Sequence, residues 1–108
     1  MKRALHALHV VLALAASTLL AGPALADQAL ANAKNCMACH AVDKKLVGPS
    51  YKDVAARYAN DKSAVDKLAT KIIKGGSGVW GSIPMPPQPI AADEARRIAQ
   101  WLAAGALP

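Results

Sequence analysis

The chain has 108 residues, a formal charge of +6, two Tyr, two Trp, no Phe and two Cys. That length allows one domain and excludes a multidomain enzyme, and two cysteines exclude a scaffold held by several disulfides. A nucleic-acid partner is a poor fit, because acids are interspersed among the lysines and no basic stripe alternates with aromatics.

The first stretch reads as an export signal. Lys2 and Arg3 form a positive start, Ala4 to Leu20 is an apolar run without an acid, Gly22-Pro23 interrupts it, and Ala24-Leu25-Ala26 offers small residues at the positions a signal peptidase reads. Cleavage is expected after Ala26, delivering residues 27–108 to the periplasm. A membrane anchor is the rival, but the run is short for a spanning helix and contains His6 and His9. No stable membrane insertion of the mature chain is therefore expected. The remaining 82 residues carry eleven Lys or Arg and seven Asp or Glu, close to +4. A domain so small and so poor in aromatic rings needs something else to fill its centre.

Four helices and no strand are expected. Asp27 can cap the first, with Leu30, Ala33 and Met37 at helical spacing running into the cysteines. A connector spans 41–49. Ser50, with Asp53 three residues on, opens a second, short helix whose apolar stripe is Tyr51, Val54, Ala55 and Tyr58. Ser63 with Asp66 starts a third, where Val65, Leu68, Ala69, Ile72 and Ile73 follow the i, i+3, i+4, i+7, i+8 pattern. Lys71 and Lys74 suit its negative end, and Gly75-Gly76 stops it. Pro84-Met85-Pro86-Pro87 can be neither regular helix nor central strand, so 77–89 is a stiff loop. The last helix begins near Asp93, turns Ala95, Ile98, Trp101 and Leu102 inward and ends at Gly105. Trp101 is expected in the core, where the first and last helices cross. The fold class is all-α, in one unit.

Cys36-Met37-Ala38-Cys39-His40 carries the chemistry. Two thiols two residues apart can add across the two vinyl groups of a haem, and the adjacent His40 offers an imidazole to the iron. A thioredoxin-like pair should follow a strand in an α/β pattern, and none is readable. A structural zinc site needs four ligands, whereas residues 27–108 hold two Cys and one His. A short-loop disulfide in a haem-free protein remains as an alternative. Export favours haem, which is normally attached outside the cytoplasm.

A second axial ligand must then be a residue other than histidine. Met37 is on too short a leash between the cysteines. Met85, 45 residues beyond His40, stands in the proline-stiffened loop. Filling a core gap is the commoner role of methionine, but a core Met rarely needs flanking prolines, and a stiff loop lowers the entropy cost of holding a weak thioether. His with Met closes both axial positions and points to electron transfer; an enzyme or gas sensor would need Met85 off the iron.

Across most of residues 27–108 the sequence resembles the small bacterial class I cytochromes c, specifically the cytochrome c-551/c-552 group. The matching segments are C-M-A-C-H, V-G-P-S-Y-K-D-V-A-A at 47–56, G-V-W-G-S-I-P-M-P-P at 78–87, and the last helix with its Trp. The resemblance implies that fold, about four short helices around one covalent haem. It implies that the Pro49 carbonyl accepts from the imidazole of His40, that the Trp80 indole reaches a haem propionate, and that Arg57 helps neutralise one. Many members carry Asn shortly after P-M-P-P, able to bond the axial sulfur; here the stretch is Gln88-Pro89, and Gln88 is the candidate donor. The function expected is that of a carrier passing electrons from a respiratory donor to a terminal reductase, oxidase or peroxidase, and a monomer is expected. Redox partners would dock at the haem edge, steered by some of Lys34, Lys44, Lys45, Lys52, Lys62, Lys67, Lys71 and Lys74, the rest being solvated surface.

Overall fold

The computed structural model describes residues 23–107, so residues 1–22 of the export signal expected over residues 1–26 lie outside the described residues. Four α-helices follow in order: α1 (Pro23–Ala33), α2 (Tyr51–Arg57), α3 (Ala64–Lys74) and α4 (Ala92–Ala103), with one 3₁₀ turn at Cys36–Ala38. Among the described residues the only β pairing is an isolated bridge between Gly76 and Met85.

Two starts differ from the sequence expectation. Asp27 does not cap α1, which begins at Pro23, where a proline gives up a donor that would have had no partner anyway. Its carboxylate, nearly buried, instead lies 3.3 Å from Arg97 Nε on α4. Nor does the Ser63 side chain cap α3. Asp61 takes the backbone N–H and the hydroxyl of Ser63 on one carboxylate oxygen, at 2.8 and 2.6 Å, and Lys67 Nζ on the other at 2.7 Å. Ser50 behaves as expected, accepting from the Asp53 N–H at 3.0 Å.

The Asp61 cluster has a pH signature. The Lys67 hydrogen bond, then those from Ser63, hold its carboxyl down to about 2 from an ordinary 3.8. A group whose folded value is depressed adds stability above its unfolded value and loses it as the pH falls through the folded one. The melting temperature should therefore carry an Asp61 contribution that disappears between about pH 4 and pH 2. Comparing wild type with Asp61→Asn over that range should show a flatter profile in the variant.

The first helix does not run straight into the cysteines. Asn35 sits in the left-handed region, φ 61° and ψ 22°, and turns the chain sharply before Cys36. Asn tolerates that conformation better than most residues, and glycine tolerates it best. In denaturant melts Asn35→Gly should hold or raise stability by up to about 1 kcal/mol, whereas Asn35→Val should lose about 1–2 kcal/mol.

Packing is centred on α4. Helices α1, α2 and α3 each lie against it, and among the described residues they do not pack against one another. At the α1 crossing Ala31, Ala95 and Ala99 are completely buried, small side chains that let the two backbones approach closely. Lys34 pairs with Glu94 there at 2.9 Å. Trp101 is in the core, as expected, and its indole N–H donates to the Leu107 carbonyl at 2.8 Å. Leu68 and Ile72 bury the inner face of α3, with Val65 and Ile73 at its margins. Because α2 and α3 share α4 as a partner and do not meet each other, a space is left between them.

Candidate haem site

That space is a cavity of about 460 Å³. Cys36, Cys39, His40, Pro49, Trp80 and Met85 all reach its wall, and so does Gln88, although they come from segments spread over more than fifty residues. Apolar side chains complete the lining, among them Val54, Leu68, Ile72, Ile98 and Leu102.

His40 is held from two directions. Its Nδ1 lies 2.8 Å from the Pro49 carbonyl oxygen, an acceptor that makes Nδ1 the protonated nitrogen and leaves Nε2 with a free lone pair for a metal. Gly48 lies directly against the ring. A Cβ placed there would collide with Cε1 and come within 2.8 Å of Nδ1. Gly48 is not among the glycines with positive φ, so it is needed for space rather than for backbone conformation.

Both cysteines are free thiols, half-buried. Burial pushes the Cys36 thiol up, a hydrogen bond from Tyr51 partly offsetting it, and burial likewise raises the Tyr51 hydroxyl.

Met85 is fixed through its backbone. It exchanges two hydrogen bonds with Gly76, at 2.9 and 2.8 Å, across the bridge that closes the 76–85 loop. The turn into that bridge passes through Gly75, φ 68°, where a Cβ would run into the Met85 carbonyl. The end of α3 and the proline segment thus meet without room for another atom.

The remaining expected residues are distributed less simply. Trp80 is about 40% exposed at the rim of the cavity. Arg57 does not line the cavity; its guanidinium carbon lies 5.1 Å from the centre of the Trp80 ring, a cation–π distance. Gln88 Nε2 donates to the Pro86 carbonyl at 2.8 Å. Lys71 and Tyr51 line the cavity as well. Sequence reasoning had given Lys71 to the helix dipole and Tyr51 to a hydrophobic stripe; the only available signal was their position on the inner side of their helices.

The donor set fits a covalent haem: two free thiols, one imidazole with its outer nitrogen already engaged, and a thioether on the same apolar wall. Comparison with known proteins agrees. The family model for cytochrome c matches residues 24–105. Cytochrome c-552 of Hydrogenobacter thermophilus is 59% identical over 83 residues, covering 77% of this chain and 85% of that protein. Cytochrome c-551 of Pseudomonas aeruginosa is 50% identical over 91 residues, covering 82% and 88% respectively. In structure, wild-type Nitrosomonas europaea cytochrome c552 superposes with a TM-score of 0.70 at 47% identity, over 72% of this chain and 98% of that one. With its C-x-x-C-H thiols on the wall of an apolar cavity and relatives of this closeness, the chain belongs to the cytochrome c family, as a small electron-transport protein of class I fold bearing covalent c-type haem.

Proposed function

We propose that the chain, cut after Ala26, is a periplasmic single-electron carrier in which His40 and Met85 are the two axial ligands of the iron. The observation that carries this is the placement of both residues on the wall of the cavity that holds Cys36 and Cys39. The bound haem supplies a one-electron couple, and the protein's part is to keep its surroundings rigid. Cys36 and Cys39 tether the ring, the Pro49 carbonyl orients the imidazole, and the Gly76 bridge holds the Met85 loop. Lys71 and Trp80 put a cation and an N–H donor on the same lining, the groups a haem's carboxylates call for. With both axial positions filled there is no place for oxygen or peroxide, which favours a carrier over an enzyme.

A docking face fits the same reading. Val47, Val79, Trp80 and Ile83 line the cavity yet are exposed, and Lys45 stands among them. An apolar patch with Lys45 at its edge suits acidic redox proteins, a respiratory donor on one side and a terminal reductase, oxidase or peroxidase on the other, with association slowing as salt rises. Among the described residues no helix is long and apolar enough to cross a membrane.

The test uses purified holoprotein from cells able to attach haem. The ferric form should show the weak sulfur-to-iron band at long wavelength, and the native ferrous form should resist carbon monoxide. Prompt carbon monoxide binding would instead mean an open iron, an enzyme or a gas sensor. Mass measurement of the secreted protein should place its first residue at Asp27.

A further inference from the structure

Tyr51, the first residue of α2, lies where three parts of the site meet. Its ring is only 4% exposed. It stacks on the His40 imidazole, centroids 5.1 Å apart and planes 17° from parallel, and meets the Trp101 ring edge-on at 5.3 Å and 81°. Its backbone is fixed too. The Tyr51 N–H donates to the Ala41 carbonyl at 3.0 Å, next in the chain to His40, and the Lys52 N–H donates to the Val42 carbonyl at 2.9 Å. The segment carrying His40 is thereby stitched to the start of α2.

A single hydrogen bond at Nδ1 fixes one point of an imidazole and leaves the ring free to tilt about that contact. Gly48 blocks part of the tilt. The stacked face of Tyr51, backed by Trp101 of α4, supplies the broad contact that blocks more.

We propose that Tyr51 is a positioning residue: its ring, held between Trp101 and His40, sets the plane in which His40 presents Nε2 to the iron. This rests on the reading of His40 as axial ligand. Tyr51 touches the iron's ligand and not the iron, so it acts on the electronic symmetry of the site through His40. The Tyr51 hydroxyl is not needed for this; the ring is.

Two measurements on holoprotein test it. In the reduced, diamagnetic wild type, nuclear Overhauser contacts should connect the Tyr51 ring protons with those of the His40 imidazole, and their absence would overturn the proposal without any variant having to fold. In the oxidised protein the pattern of haem-methyl shifts reports the orientation of the axial ligands. Tyr51→Phe should keep the wild-type pattern, and Tyr51→Leu should change it. Ile73→Ala, packed on the core away from the cavity, should lower stability and leave the pattern alone. A wild-type pattern in Tyr51→Leu, with both axial ligands still bound, would defeat the role of Tyr51 while sparing the ligand reading. Loss of His40 imidazole signals from the bound-ligand region in the wild type would defeat both.

Discussion

Gly48→Ala should lower the yield of haem-loaded protein and destabilise the fold by about 1–3 kcal/mol, the usual cost of forcing a methyl group into occupied space. The new Cβ would overlap the His40 ring at Cε1 and Nδ1. One of two things must then give. If the imidazole moves, its 2.8 Å hydrogen bond to Pro49 is strained and the iron-binding nitrogen is misdirected. If the loop moves, the Pro49 carbonyl is displaced and the same bond is lost from the other side. Either route loosens the ligand, because both contacts come from neighbouring residues on one strap of chain. Expression with haem-attachment machinery, followed by the ratio of haem absorbance to protein mass and a denaturant melt, measures both effects. Wild-type loading and stability in the variant would show that the strap adapts without cost.

Met85→Ala should leave the haem attached, lower the reduction potential and open the iron to carbon monoxide. The tether depends on Cys36 and Cys39 alone, so covalent loading should persist. The thioether, however, favours ferrous iron, and removing it takes that preference away. Lost packing of a half-buried methionine adds a destabilisation of about 2 kcal/mol, at the low end for a Met-to-Ala change. The backbone bridge to Gly76 survives the substitution, since it uses only main-chain atoms, and the 76–85 loop should stay in place. Redox titration and carbon monoxide mixing are the measurements. An unchanged potential and spectrum would remove Met85 from the iron and with it the case for a closed carrier.

Much of this was legible because its causes are local. The period of α3 follows from Leu68, Ala69 and Ile72, the glycine stop from Gly75, and the haem chemistry from five consecutive residues. What sequence could not give came from contacts between distant segments or from atoms without a side-chain signature. The acceptor for His40 is a main-chain oxygen, so only family resemblance pointed to Pro49. Gly48 fell within the 41–49 connector without a role of its own, and nothing in the sequence shows the ring lying against it. Asp27 was read as a cap because its true partner, Arg97, is seventy residues away. The placement of Arg57 over the Trp80 ring, 5.1 Å from its centre, joins residues on separate segments, a geometry no spacing rule encodes.

The arrangement around α4 also bears on cooperativity. Small single domains usually unfold cooperatively, and a packing partner shared by every other helix strengthens that coupling. Here, among the described residues, α1, α2 and α3 each pack on α4 and not on one another. A chain ending before Ala92 should therefore give no sigmoidal melt and little helix by circular dichroism, rather than a weakened remnant. The all-or-none unfolding expected here has a topological cause: three helices share a single hub, α4.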